Sequence, residues 1–547
     1  MVIGNMSSKL LRGTFILTLG TYISRILGMI YLIPFGAMVG ATGGALFQYG
    51  YNQYTIFLSI ATMGFPAAVS KFVSKYNSIG DYDTTRRMLR AGMSMMLVTG
   101  IIAFSLLYVT APFFAETALG GTENNGLTIE HVVYVIRMVS LALLVVPVLA
   151  LVRGFFQGHQ MMGPTAVSQV VEQLARIVFL LTATYLVMKV LNGGLVVAIG
   201  YATFAALIGA FAGLFTLYFS WQKRKGHLIS MKPNLVPPSN ITYRQMFKEL
   251  FSYAAPYVFV GLAIPLYQYI DTNTFNKAMI EAGYQSLSQD LLAIVTLYVP
   301  KLVMIPVSLA TAFGLTLIPV ITENFTNRDF PALNKQIDQA MQIILFIVLP
   351  ASVGMSLLAG PFYTFFYGSE SLLPDVGQDI LFWYSPVALL FSLFTVNAAI
   401  LQGINKQKFA VVSLLIGVII KVVLNVPLIK LFQGEGSILA TALGYTASLL
   451  YGFIMIRRHA GYSYKKLFKR FLLMAILTAV MGVIVLIAKA VLGLFISYEG
   501  GQIRSAVIIA ITSAIGGIVY LYLAHRLKLL EKIFGQRLSR FFKRKAS

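Results

Sequence analysis

Cysteine is absent from this chain, which excludes disulfides and thiolate metal sites. Its five histidines are scattered and form no HExxH or similar spacing, so a zinc centre is not expected. No GxxxxGK[ST] phosphate loop occurs either, which argues against ATP as an energy source. Acidic residues are scarce, 19 against 42 lysines and arginines, and charged residues of both signs make up only 11% of the sequence. A soluble globular domain carries about a quarter. No hydrophilic loop is long enough to hold a soluble catalytic domain.

What is abundant is apolar surface, 58% of 547 residues. Windows of about twenty apolar residues match a hydrocarbon core of roughly 30 Å. About fourteen such windows occur, centred near residues 24, 55, 101, 142, 176, 207, 258, 305, 347, 390, 419, 447, 480 and 512. The expected fold class is an all-α polytopic membrane protein. The first window lacks the short core and small-residue cleavage site of a signal peptide, and is expected to remain as a helix.

The net charge of +23 does not point to nucleic acid once the charges are placed. About 32 lysines and arginines fall on the side that holds both termini, about 5 on the other and about 5 within spans. Both termini are therefore expected in the cytoplasm. The basic segments KRKGH (223–227), RRHAGYSYKKLFKR (457–470) and the tail after Arg526 suit anionic lipid headgroups.

The chain contains an internal repeat. QGHQMMGPTAVSQVVEQLARIV (157–178) aligns with QGINKQKFAVVSLLIGVIIKVV (402–423), which places Gln157-Gly158 on Gln402-Gly403, Ser168 on Ser413 and Arg176 on Lys421. SIAT (59–62) matches SLAT (308–311) at nearly the same offset, and Asp81-Tyr82 matches Asp329-Phe330. The offset spans six helices, so both copies share one orientation and a pseudo-two-fold axis along the membrane normal. Two six-helix lobes followed by two further helices result: an N-lobe with its linker over 1–235, a C-lobe over 236–460, and the last two helices with a basic tail over 461–547.

Charges inside spans carry the functional reading, because each costs about 2.5–3.5 kcal/mol at the bilayer centre. Four cations lie deep: Arg25, Arg176, Lys301 and Lys421. Lys301 sits between Pro300 and Pro306, which are expected to break their helix. Glu172 lies one turn before Arg176, in the order that favours an ion pair, whereas Gly417 takes that place before Lys421. Arg137 lies about two turns from the outer end of its span, within snorkelling reach. Asp271 is expected near the outer mouth, as a cap, a charge partner or a coupling-ion ligand. The glycines of GATGGA (40–45) allow close helix packing.

A cavity richer in cations than acids suits an anionic cargo. Arginine's fork fits phosphate, and apolar walls accommodate a lipid tail. A polytopic glycosyltransferase would need acids, for metal or acceptor, that the first outer loop lacks. A cation-coupled drug antiporter would need acidic cavity residues and ion-dependent efflux.

The motifs SRILG in the first span, GFFQGHQMMGPTAVSQVVEQ after the fourth and LQGINKQKFAVVS after the tenth resemble the MOP superfamily of polysaccharide and lipid-intermediate exporters. Within it the whole chain is similar to the MurJ-type lipid II flippases of Gram-positive bacteria, related to sporulation protein B. The resemblance implies a V-shaped pair of lobes that alternate access, with the last two helices forming a groove for an undecaprenyl tail. It implies lipid II as cargo, carried to the outer leaflet of the plasma membrane; a flippase for another undecaprenyl-diphosphate-linked glycan is the alternative. By resemblance, Arg25 matches a cationic cavity position and Lys301 an arginine of Gram-negative members. Tyr31 and Leu58-Ser59 stand where those members carry further arginines. Arg176 and Lys421 are read as their replacements, and the four cations as the diphosphate-binding set, with Glu172, Arg137 and Asp271 as charge partners or gates. No cofactor is expected beyond a membrane potential or ion gradient.

Overall fold

The computed structural model describes residues 16–17, 19–62, 64–119, 126–159, 161–228, 234, 236–237, 239, 241–248, 261–368 and 373–534. Their packing divides the chain into two units, 1–277 and 278–547. Among the described residues, eleven helices are long and apolar enough to cross a membrane. Three of the windows expected from sequence account for the difference. Residues 41–62 are helical but carry Gln48, Asn52 and Gln53. The window near 258 falls largely on 249–260, outside the described residues. Those near 419 and 447 form one 54-residue helix.

In the first unit, α1 (Leu19–Gly40) stops where Gly40 takes φ 63°, a conformation open to glycine, and α2 continues over 41–62. There follow α3 (Phe65–Ile79), α4 (Tyr82–Leu119), and α5 (Ile129–Ser140) joined through a 3-10 turn to α6 (Val146–Gly158). Then α7 (Met162–Tyr185) packs extensively on α8 (Gly194–Arg224). The division between units falls near the end of α9 (Ala263–Glu281), whose Thr272 accepts a 2.8 Å bond from Asn52 of α2.

The segment after α8 is fastened to the first unit. Asp81, between α3 and α4, accepts from Ser239 N at 2.8 Å, Ser239 Oγ at 2.6 Å and Thr84 N at 3.0 Å. Asn234 exchanges hydrogen bonds with Asp83, and Arg87 Nη2 donates to Ser239 O at 2.7 Å. Leu228 and Met246 are buried beside Phe72, Val73 and Met88.

In the second unit, α10 (Ser288–Ala293) runs through a π-turn (Ile294–Tyr298) into α11 (Val299–Thr326). The helix is therefore continuous through Pro300 and Pro306 rather than broken. The π-turn shifts the hydrogen-bond register just before Pro300, and the Tyr367 hydroxyl donates to Tyr298 O at 2.8 Å. Next come α12 (Phe330–Leu357), α13 (Ala359–Tyr367), α14 (Pro374–Tyr384) and α15 (Val387–Gly403). The long α16 (Gln407–Ala460) reverses at Gln433, which has φ 50° and ψ −124°. Its two arms, 407–432 and 434–460, pack antiparallel: Ser413 Oγ donates to Ser448 O at 2.7 Å and Ser448 Oγ to Ser413 O at 2.8 Å. Last are α17 (Lys465–Gly493), α18 (Gln502–Arg526) and the short α19 (Leu529–Phe534).

The repeat is visible as matching local contacts. Asp81 follows Gly80 at φ 81° and caps α4; Asp329 follows Arg328 at φ 56° and caps α12 through Ala332 N at 3.0 Å. Gly158 packs on Ser70 and Val73 of α3, and Gly403 on Ile318 and Ile321 of α11. Ser168 Oγ donates to Gly213 O of the next helix at 3.0 Å, as Ser413 does to Ser448.

Candidate functional site: two intramembrane cation centres

Each unit places a cation at the repeat's shared position, fully buried at Lys421 and partly buried at Arg176, and the surroundings differ. In the first unit, α7 presents Glu172 and Arg176 one turn apart. Gly209 of α8 brings that helix so close that a β-carbon there would lie 2.8 Å from Glu172 O and 3.0 Å from Arg176 Cβ. Arg176 Nη2 donates to Glu172 Oε1 at 3.1 Å, which is the ion pair their spacing predicts. Its Nη1 reaches the Tyr51 hydroxyl of α2 at 3.4 Å, a long bond. Its Nε is buried and, among the described residues, has no hydrogen-bond partner.

Arg153 of α6 completes this centre, and sequence reasoning passed over it. Its Nη2 donates to Glu172 Oε2 at 2.8 Å, and its Nε and Nη2 both donate to Ser168 Oγ, at 3.2 and 2.8 Å. One carboxylate therefore bridges two guanidiniums, leaving a net charge of +1. The available signal was a lone arginine in the apolar run VPVLALVRGFFQG (146–158), but no spacing along the chain ties it to Glu172.

Arg25 lies on the same helix seam. Thr21 Oγ1 donates to Gln169 Oε1 at 3.1 Å, and Gly28 packs on Gln173, so α1 runs parallel to α7. Arg25 lies between those two contacts, roughly 8 Å along the axis from the level of Arg176. It is exposed and forms no ion pair among the described residues. Tyr31, further along α1, interacts electrostatically with Arg176, as do Tyr51 and Tyr54.

In the second unit Lys421 is fully buried, at 0% exposure. Its Nζ donates to Ser437 O at 2.9 Å, Ser437 Oγ at 3.3 Å and Thr441 Oγ1 at 2.8 Å, all on the other arm of α16. The ammonium thus ties the two arms of α16 together. Lys301 is half-buried on α11, just after the π-turn. Arg137 lies apart from both centres, its guanidinium 4.7 Å from the Tyr108 ring centroid of α4. Asp271 is buried on α9, next to the Thr272–Asn52 bond rather than beside Arg176. Among the described residues no cluster of histidine and acidic side chains could hold a metal ion.

Comparison with known proteins places this architecture. Residues 10–325 match the profile of the polysaccharide biosynthesis protein family, and residues 279–427 that of the MatE family. Lipid II flippase MurJ of Bacillus subtilis (strain 168) is 75% identical over 539 residues, covering 98% of this chain and 99% of that protein. Stage V sporulation protein B of the same organism is 24% identical over 418 residues, 75% of this chain and 76% of that one. Among solved structures, lipid II flippase MurJ in an inward closed conformation matches with a TM-score of 0.67 at 17% identity, over 94% of this chain and 99% of the other. An inward-facing multidrug resistance MATE family transporter of the MOP superfamily matches with a TM-score of 0.57 at 15% identity, over 80% and 98%. These two structural likenesses show the fold.

Proposed function

The chain belongs to the MurJ family of the MOP superfamily, and on that premise we propose that it flips lipid II, the undecaprenyl-diphosphate-linked peptidoglycan precursor, from the inner to the outer leaflet of the plasma membrane. It is a multi-pass transporter and not an enzyme. The observation that carries the reading is near-full-length identity of 75% to a lipid II flippase, in a chain with 42 lysines and arginines against 19 acidic residues.

Arg25 and Arg176 offer donors to a diphosphate. Arg25 is exposed and Arg176 has a buried N–H to spare. Lys301 adds a compact charge from the second unit. Lys421, bonded within its helix pair, acts through its field, which a low-dielectric slab screens weakly. Arg137 and Asp271 serve as charge partners or gates.

Moving a diphosphate outward carries about two negative charges toward the positive side. At roughly 2.3 kcal/mol per charge per 100 mV, the membrane potential drives transport without ATP or another cofactor. Both termini lie in the cytoplasm, where the basic segments 457–470 and 526–545 attract anionic lipids.

The test is exposure of lipid II to a membrane-impermeant probe in cells where this chain is the only flippase. Depleting the chain, or substituting Arg25→Gln and Arg176→Gln together at unchanged protein level, abolishes exposure, and collapsing the potential slows it. Normal exposure in depleted cells would assign the chain to another polyprenyl-diphosphate glycan.

A further inference from the structure

The first-unit centre holds more than a cation and its counter-ion. Two arginines share one carboxylate, and they are held very differently. Arg153 is held by three contacts: Ser168 takes its Nε and Nη2, Glu172 takes Nη2 again, and Ser168 is itself fixed to Gly213 O. Arg176 is held loosely by the longer Glu172 contact and the 3.4 Å tyrosine bond, with Nε buried and unpartnered among the described residues. A buried guanidinium N–H without an acceptor is costly, and a bidentate anion would satisfy it.

The repeat supplies a second, independent observation. At the offset that places Arg176 on Lys421, Glu172 falls on Gly417 and Arg153 on Ala398. Neither the carboxylate nor the arginine is repeated at the matching positions of the second unit, where Lys421 donates to Ser437 and Thr441 of the neighbouring arm. Arg153 and Glu172 occur together in one copy and are replaced together in the other.

We propose that Arg153 is a positioning residue that holds Glu172 as an internal stand-in for the cargo's diphosphate, so that Arg176 can exchange its carboxylate for the incoming anion. In the unloaded state Glu172 occupies one edge of the Arg176 fork. When a diphosphate arrives, Arg176 turns to it while Glu172 keeps its bond to Arg153, so no buried carboxylate is left without a cation. On departure of the cargo, Glu172 resumes its contact with Arg176. This rests on the diphosphate-cargo reading above and adds the residues that set how easily Arg176 is released.

The test is binding of farnesyl diphosphate, with farnesol as the uncharged control, to the purified full chain in nanodiscs. Arg153→Gln leaves both carboxylate oxygens to Arg176 and is expected to weaken diphosphate binding about tenfold. Glu172→Gln frees Arg176 and is expected to tighten it. The double variant Arg153→Gln/Glu172→Gln carries the wild-type net charge and is expected to return to within about threefold of wild type. A merely structural arginine would leave the double variant no better than Arg153→Gln, and that result overturns the proposal. Ser168→Ala keeps every charge but loosens Arg153, and is expected to weaken binding in the same direction; unchanged binding there also counts against it. Equal binding of farnesol and farnesyl diphosphate by the wild type would instead sink the diphosphate reading itself, and the positioning role with it.

Discussion

Asp81→Asn is a test of whether the segment between α8 and α9 is fastened to the first unit by one carboxylate. Asp81 is 0% exposed and accepts three hydrogen bonds, two from Ser239 and one from Thr84. Bonds to an ionised acceptor contribute about 1.5–3 kcal/mol each, and asparagine keeps one of the two oxygens while turning an N–H₂ toward backbone donors. The expected loss is about 2–4 kcal/mol. It falls on local opening around Ser239, because the helices of the unit keep their own packing. At about 3 kcal/mol the opened population rises by roughly a hundredfold. Hydrogen exchange at the Ser239 amide, which donates to Asp81, reports it under conditions where the rate follows the open fraction. An unchanged rate would refute the reasoning. The pH arm has a definite sign. Burial pushes the Asp81 carboxyl up, but the hydrogen bonds from Ser239 and Thr84 outweigh it and hold the group below its ordinary value. Such a carboxylate stabilises fully above the unfolded value of about 3.9, and that contribution is lost as pH falls through the lowered folded value. Hydrogen exchange at the Ser239 amide, corrected for intrinsic rate, should therefore stay flat from about pH 6 to 4 and accelerate below, and Asp81→Asn should remove the transition.

Other consequences can be checked on purified protein. Glu172→Gln leaves two partly buried guanidiniums without their counter-ion and should cost about 1–3 kcal/mol by denaturant or thermal unfolding, with Arg153→Gln/Glu172→Gln less damaged; an unchanged midpoint would mean that the pairs at 2.8 and 3.1 Å are not engaged. Lys421→Met substitutes an apolar chain of similar length and should hold stability within about 1 kcal/mol while lowering transport, whereas Lys421→Ala also opens a cavity at a cost of about 2–4 kcal/mol; full transport by the methionine variant would remove Lys421 from the functional set. Gly154→Ala drives a methyl to 2.3 Å from Pro66 O, backbone against backbone between α6 and α3, and should cost about 1–3 kcal/mol in the same unfolding measurement. Gly163→Ala, with no atom within 4 Å, is the harmless control.

Much of the first-unit centre was legible in one dimension. Glu172 and Arg176 lie four residues apart, so a helix brings them together without help from any other element, and the pair forms as expected. Arg153 was not legible, because its partners Ser168 and Glu172 lie across a turn on another helix. Lys421 shows the same limit from the other side. Its missing local acid is plain in the sequence at Gly417, but its acceptors, Ser437 and Thr441, become neighbours only because α16 folds back at Gln433. The polar, glycine-containing QGEG (433–436) separates the two windows in the sequence, but which residues of the two arms meet is set by the reversal itself.

The sequence by itself determined the membrane-spanning helical class, the repeat and the excess of basic over acidic residues, since these follow from hydropathy, length, spacing and composition, which are read along the chain. Identity over nearly the whole length then carried the family. Only the tertiary structure decided that Lys421 donates to Ser437 and Thr441 of the opposing arm, and that Arg153 holds the acid beside Arg176. It also decided that the segment after α8 is tied to Asp81. Those outcomes depend on helix crossings set by small residues such as Gly209 and by backbone reversals such as that at Gln433, where contact geometry over a few ångströms, rather than any periodic property, selects the partner.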